Sequence, residues 1–566
     1  MKKKLLALAL ASVMLLGLLS GCGAKGTEAA ASVPEAASTA DQNKPEPAPD
    51  AGAPTQAPVS VEEPGSDLAA PEAEFDIYGP FAEETVTLTY WKLWPPFLEG
   101  YDPKEASLFA MLKERLNVEI EVTTIGTDSA DTKFNLMVAS GDYLDLIENA
   151  ANNYAGGGTK AIQDEVLLDL MPYMETYAPD YWAILQTDEV AMKTMVNADD
   201  QMASIVSLYD EMPRPQMGLW LRSDWLKAEN MPMPSTLEDL ESVLDMFKNT
   251  YGCTDAFACR ETCDVPIRNV YDAFEWSVDD SGQVRYGYTD TLENFKNYLK
   301  KAHEWYEKGY FSSGFVTAND TNLPKSSMVV NQQTGLFDAD IMIVSEVGTL
   351  DPSIEISALA PITKNADDKL PPDWSSRMNN SNMASVSTKC EHPEYAVAAM
   401  NYTYTDDAFM AVNWGTEGET YTMENDQPVF TDLMLNNPNL PASFTPLAYI
   451  SPGFPFQKSY EMALSSYTYP AQAACFEIFS SKTDESLPKT DYPRDFVSFT
   501  TEESEILALH QSDLETYVTE CLAKFFTGDM DVDADYDAFA AQVQNMGSEE
   551  VKEIYQSAYD RFVGAA

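Results

Sequence analysis

Two tryptophans flank a lysine in Trp91-Lys92-Leu93-Trp94, and Pro95-Pro96 follow at once. A flat ring beside a hydrogen-bonding side chain can stack on one face of a ligand and grip its polar edge, which is the chemistry of capture. The same mixture of types recurs along the chain. Glu148-Asn149 close an apolar run, Arg222 stands near Trp225, and Trp276 sits in the polar stretch "DAFEWSVDD". Trp374 and Arg377 lie in the Pro- and Asn-rich "PPDWSSRMNNSN", and Trp414, Glu417 and Tyr421 in "NWGTEGETY". Loops carried on a rigid scaffold tend to hold function, so these twelve residues are the candidate ligand contacts: Trp91, Lys92, Trp94, Glu148, Asn149, Arg222, Trp276, Trp374, Arg377, Trp414, Glu417 and Tyr421. Asp142 and Asp145, in "SGDYLDLI", read instead as turn and cap residues.

Bond-breaking constellations are thin by comparison. The three histidines, His303, His392 and His510, have no metal-spaced partners, and no GxSxG, HExxH or P-loop string occurs. A glycosidase is not excluded by this, because its two carboxylates leave no sequence signature. "DMDVDADYD", from Asp529, spaces carboxylates like a calcium loop but lacks the glycine at position six and the glutamate at twelve, so it reads as an acidic turn. No metal and no cofactor is expected. Cys253, Cys259 and Cys263 cluster in one stretch and could form a local bridge with one thiol left over, while a zinc site there would need a fourth ligand. Cys475 and Cys521 lie in apolar contexts and read as buried thiols.

The elements that must position the candidates begin with an export signal. Lys2, Lys3 and Lys4 precede an apolar run from Leu5 to Leu19, and Leu19-Ser20-Gly21-Cys22 closes it. That run is shorter than the roughly 20 residues a spanning helix needs, and it has the layout of a secretory signal. The closing string resembles a bacterial lipobox, which makes residues 1–21 a signal peptide and Cys22 a lipid attachment point; two acyl chains suffice for stable anchoring. Residues 22–78 are Ala-, Pro- and Glu-rich, with no aromatic residue before Phe75, and read as a disordered tether spanning on the order of 40 Å. The net charge of −56 falls to −59 once the three signal lysines are gone, and a surface this acidic repels nucleic acid.

About 490 residues remain, enough for two large lobes. Val86 to Tyr90 alternates as a strand does, Asp102-Pro103 opens a helix carrying Leu108, Met111, Leu112 and Leu116 on one face, and Val118 to Val122 alternates again. A helical stretch around 132–139 then leads to a third strand ending at Glu148, the start of a parallel α/β sheet. Further helices are expected over 236–248, 292–308 and 393–404. Another begins at a Thr500-x-x-Glu503 capping box and stops at Gly528, and a last one is capped by Ser548.

"ASGDYLDLI" (139–147), "LLDLMPYMETYAPDY" (167–181), "LWLRSDWLKAENMPMPSTLEDL" (219–240), "NWGTEGETY" (413–421) and "AKFFTGDMDVDADYDAFAAQVQNMG" (523–547), in this order behind a lipobox, resemble the extracellular solute-binding lipoproteins of ABC importers, in the large branch associated with oligosaccharide uptake in Gram-positive bacteria. The resemblance runs from about Thr85 to Phe562. It implies a two-lobe, periplasmic-binding-protein-like α/β fold with a hinge, an interlobe ligand cleft and a helix-rich C-terminal part. By analogy the crossings fall near Met212, Phe337 and Ala399, giving an N-lobe of 79–212 plus 338–399 and a C-lobe of 213–337 plus 400–566. Many members carry an EF-hand-type loop after the helix that here reaches Lys248; this chain has "NTYGCTDAFACRETCDVP" instead, and calcium is not carried over.

The function the resemblance implies is capture of a carbohydrate, an oligosaccharide in the first instance, and its delivery to an ABC permease. The protein would be a monomer, held at the outer face of the cytoplasmic membrane, with no enzymatic step. A sugar offers apolar C–H faces and many hydroxyls, which the tryptophans and the polar candidates above would meet. Two alternatives stand beside it: a binding protein for a peptide or polyamine, which the acidic balance mildly favours, and a surface glycan-degrading enzyme.

Overall fold

The structure, a computed structural model, describes residues 73–259, 266–318 and 323–564. Cys22, the segment 1–21 read as a signal peptide and Cys263 lie outside the described residues. The body starts earlier than composition suggests. Phe75, inside the range assigned to the tether, packs against Phe81, Tyr177 and Tyr395 at 4.7–5.7 Å, and Ile77 is buried, so an aromatic anchor ends the tether before residue 78.

Strands β1 (Val86–Trp94), β2 (Val118–Gly126) and β3 (Leu146–Glu148) form as their alternation predicts, with β1 parallel to both neighbours. Ser107–Leu116 is the connecting helix between β1 and β2, and its buried stripe includes Leu108, Met111, Leu112 and Leu116. The six-stranded sheet runs, in spatial order, Gln457–Lys458, β4 (Ile205–Tyr209), Met378–Val386, β3, β1, β2. Met378–Val386 is antiparallel to both of its neighbours. Leu88, Tyr90, Leu146 and Val206 serve a core on one face, and Trp91, Ile125, Phe134 and Ile147 a core on the other.

The second sheet has four strands, in the order Ile356–Ala358, β5 (Met217–Arg222), Leu336–Asp340, Phe257–Ala258. Leu219 and Leu221 face the helices Leu237–Asn249 and Leu292–Glu307, whereas Trp220 and Phe337 face Pro470–Phe479. The C-terminal helices Thr501–Thr527, Val532–Asn545 and Ser548–Val563 complete the first of these cores. Thr500 and Glu503 make the capping box that the spacing predicts, and left-handed Gly528 ends that helix. Ser548 is instead the first residue of the last helix, behind Gly547. Asp531 caps its helix by accepting from the Ala534 amide at 2.8 Å, so the acidic run is a helix start.

The chain passes between sheets over residues 210–216, 359–377 and 459–469. The second and third positions correct the crossings placed near Phe337 and Ala399. Phe337 is an interior strand residue registered against Trp220, and Ala399 is buried in the helix Pro393–Tyr402 on the first core. Residues 338–358 therefore go with the second sheet, and 378–458 with the first. Sequence pattern could not find this, because a strand and its return crossing look alike until the pairing partner is known.

Candidate functional site

Ligands of open α/β sheets collect at the carboxyl ends of the strands, and here that edge is where the two sheets face each other. A cavity of ≈ 330 Å³ lies there, beside the first and third crossings. Tyr209 at the end of β4, Asn379 and Asn382 of Met378–Val386, and Lys458 reach it from the first sheet. Gln216, Asp340 and Met342 reach it from the second, and Ser466 and Tyr467 from the third crossing. Asn379 pairs with Ser207, but Met383 already pairs with Val206, so residues 380–382 form a bulge that brings Asn382 to this cavity beside Asn379 and leaves Asn380 on the next one. Tyr467 donates its hydroxyl to Gln216 Oε1 at 3.2 Å. Ser443 Oγ and Ser451 Oγ, also in the lining, are buried with no hydrogen-bond partner among the described residues. Rings, amides and free hydroxyls together fit a polyhydroxylated ligand.

A second cavity, ≈ 370 Å³, lies on the other side of the bulge, lined by Asn152, Asn380, Met383, Gln201 and the segment 495–499. A third, also ≈ 370 Å³, shares Asp495 with it and brings Trp276 and Trp374 together with Glu275, Asp373, Asp491, Arg268 and Arg494. Desolvation, then the neighbouring Asp373 carboxylate, push Asp491 up to about 6. Burial raises Glu275 as well, against the pull of Arg494.

Most of the sequence candidates are placed elsewhere, and for identifiable reasons. Trp91 is buried in the second face's core, edge-on to Phe134 at 6.0 Å. Trp94 packs with Leu98, Leu440 and Ala448 and gives its indole N–H to the Leu98 carbonyl at 3.0 Å. Trp276 has both faces taken, by Tyr286 at 4.3 Å and Tyr555 at 4.1 Å, and offers the cavity only an edge. Trp414 and Tyr421 belong to a small core with Phe430 and Met434, and Glu417 is an exposed turn residue bridged to Tyr421. None of these offers an open ring face to a ligand. Trp374 is half-buried and does line a cavity; its indole N–H donates to the Asp491 carbonyl at 3.0 Å and Phe562 meets it edge-on.

The polar candidates are structural where partners can be seen. Lys92 and Glu148 form a buried ion pair, and Glu148 also accepts from the Leu93 amide at 2.6 Å. Burial raises the Glu148 pKa, and the Lys92 charge opposes that shift. Gly453, at φ 86°, lies directly over the pair; a Cβ there would stand 2.8 Å from Lys92 Nζ. The segment around Gly453 thus seals the pair from the cleft. Arg222 binds Asp224 through two hydrogen bonds of 2.9 and 2.6 Å, donates to the Val329 carbonyl and covers Trp225. Arg377 anchors the second crossing: its amide donates to Asp188 at 2.7 Å and its guanidinium to the Ile184 carbonyl and Thr187. Asn149 is left-handed, at φ 53°, with its Oδ1 buried and unpartnered beside the strand edge.

Tyr209, Asp340, Asn379, Asn382, Lys458 and Tyr467 were not singled out in the sequence. Asn379 and Asn382 lie two and five positions past Arg377 in the same polar stretch, and that density of amides is the available signal. Among the described residues no group of three or more His, Cys, Asp or Glu could hold a metal. Asp145 takes the Thr89 amide and hydroxyl at 2.8 and 2.7 Å, a turn-fixing role. Cys259 is disulfide-bonded, while Cys253, Cys390, Cys475 and Cys521 are free and buried.

This two-sheet α/β architecture, with its cavities at the facing strand edges, is a fold seen in solved solute-binding proteins. It is shared with the alginate-binding protein AlgQ2 (TM-score 0.66, 19% identity, 87% of this chain and 100% of that one) and with the substrate-binding protein FusA of S. pneumoniae in complex with kestose (TM-score 0.66, 19% identity, 85% and 100%). In sequence, the chain is 29% identical over 159 residues to Lipoprotein LipO of Bacillus subtilis. It is 28% identical over 179 residues to FusA, the fructooligosaccharide ABC transporter substrate-binding protein of Streptococcus pneumoniae. The matches cover 28% and 30% of this chain and 30% and 32% of those proteins, less than a third of either relative's length. No family model matches the chain.

Proposed function

We propose that this protein captures a carbohydrate, an oligosaccharide in particular, between its two sheets and hands it to an ABC permease without making or breaking a bond. The observation that carries the reading is the hinge-side cavity, lined from both sheets by amides, hydroxyls and the rings of Tyr209 and Tyr467. A ligand touching both sides favours the closed arrangement of the lobes over the open one, and the closed form is what a permease can recognise. The signal-like N-terminal stretch and Cys22 support lipid anchoring at the outer face of the cytoplasmic membrane. Among the described residues no helix is long and apolar enough to cross a membrane.

A second reading has one observation behind it. Asp373, Asp491, Asp495 and Glu275 converge on the cavity that holds Trp276 and Trp374, an arrangement suited to a cationic solute such as a polyamine or peptide amine. Thermal unfolding of the protein against oligosaccharides, peptides and polyamines separates the two, since a ligand specific to the native state raises the midpoint. A shift confined to glycans, with no release of reducing ends, supports carbohydrate capture. Shifts with polyamines alone overturn it in favour of the second reading, and reducing-end release overturns the absence of an enzymatic step. Cys22→Ser, expressed in a Gram-positive host, should move the protein from the membrane to the medium.

A further inference from the structure

We propose that the hinge-side cavity selects uncharged, hydroxyl-rich glycans and turns away uronates, with Asp340 as the residue that sets the preference; this rests on the carbohydrate reading above. The lining carries one carboxylate, Asp340, and one cation, Lys458. Lys458 is held over the ring of Tyr209, 5.0 Å from its centroid, and Asp340 Oδ1 accepts from the Met342 amide at 2.8 Å. The Ile343 amide also meets this carboxylate, and the acceptor positions left on it can take sugar hydroxyls as charge-assisted hydrogen bonds.

Recognition of a sugar carboxylate takes guanidinium forks or several converging cations. None of the arginines near the crossings lines the cavity. Arg214 lies over the Phe476 ring at 4.6 Å, Arg222 is forked onto Asp224, and the Arg377 guanidinium donates to the Ile184 carbonyl and Thr187. The neighbouring cavity adds no cation, Asp495 being its one charged lining residue. The unpartnered Ser443 and Ser451 hydroxyls point the same way: a sugar hydroxyl can both donate to and accept from them, whereas a carboxylate only accepts. A net charge of −56 further repels an anionic chain on approach.

Calorimetric titration of the full chain with oligosaccharides matched in size, neutral against uronate-bearing, reads the preference directly. Suitable probes are a galacturonate trimer and its methyl ester, xylo- and glucuronoxylo-oligosaccharides, and kestose. Neutral members should bind about tenfold tighter or better, and Asp340→Asn should weaken neutral binding about five- to tenfold, since a charge-assisted bond becomes an ordinary one. The same variant should narrow the gap between the paired ligands, with the unfolding midpoint unchanged because Asn Oδ1 can still accept from Met342. Uronates that bind as well as their neutral partners overturn this inference and leave carbohydrate capture standing. An Asp340→Asn chain that keeps the wild-type gap removes Asp340 from the role. No binding by any glycan overturns the inference and the carbohydrate reading together.

Discussion

Replacing Glu148 by Gln tests whether the Lys92–Glu148 pair is a structural lock or part of the ligand site. The two side chains are 8% and 3% exposed, so the variant leaves an ammonium buried without its counter-charge. Breaking a buried pair from one side costs about 3–5 kcal/mol. Gln can still accept from the Leu93 amide, so the loss is confined to the charge interaction. At roughly 2–4 °C per kcal/mol for a unit of 150–250 residues, the first lobe's transition should fall by on the order of 10 °C. Lys92→Met combined with Glu148→Gln removes both charges and should recover most of the loss, because a well-packed neutral pair is often as stable as the ions it replaces. Thermal unfolding followed by circular dichroism gives the three midpoints, and a ligand titration of the double variant gives the functional half. With the pair sealed beneath Gly453, affinity should stay within a few-fold of the wild type once stability is restored. A Glu148→Gln midpoint within about 2 °C of wild type, or a stable double variant that no longer binds, would refute the reasoning.

Three further outcomes follow from the same geometry. Trp276→Ala should destabilise the second lobe by about 3–5 kcal/mol in urea, since it empties a stack between Tyr286 and Tyr555; at temperatures where the variant stays folded, ligand affinity should be nearly unchanged. Asp188→Ala removes the cap on the Ala191 amide at 3.0 Å together with the anchor for Ser376 and Arg377, and should cost about 2–3 kcal/mol, read as a lower denaturant midpoint. Asp491 has its native pKa raised to about 6, above the unfolded value, so the folded protein holds the extra proton. That contribution is present below about pH 4 and is lost as pH climbs through 6; Asp491→Asn should therefore gain on wild type at pH 8 and not at pH 4. The carboxyl keeps an exposed edge, so the gain is a modest rise in midpoint.

The early part of the fold was legible because each element states its own period. Leu88 and Tyr90 alternate with Thr87 and Thr89, and the stripe Leu108-Met111-Leu112-Leu116 repeats at helical spacing, so β1, β2 and the helix between them follow from local pattern. The capping box at Thr500 and the stop at Gly528 are equally local. The site was much less legible. Trp91 was read as a loop platform because two prolines follow closely, yet β1 continues to Trp94 and its pleat turns Trp91 into the second core. Trp276 and Trp414 sit among polar neighbours in sequence, but residues well outside those stretches supply the rings and apolar contacts that cover them, Tyr555 far along the chain in the one case and Phe430, Met434 and Ile450 in the second.

From its sequence alone, the protein was set as acidic, opening on a basic and apolar stretch that resembles an export signal, built from alternating strands and helices, and rich in residues that stack and hydrogen-bond. Those are properties of composition and short-range spacing, and they survive any arrangement of the chain. Which residues meet is a matter of register. Pairing Tyr90 with Leu146 places Lys92 beside Glu148 and takes both out of the cleft, while the bulge in Met378–Val386 brings Asn382 to the same cavity as the paired Asn379. A one-residue change in either pairing would exchange the buried and the open face. The cleft is therefore a product of long-range strand pairing, and only the tertiary structure decided its lining.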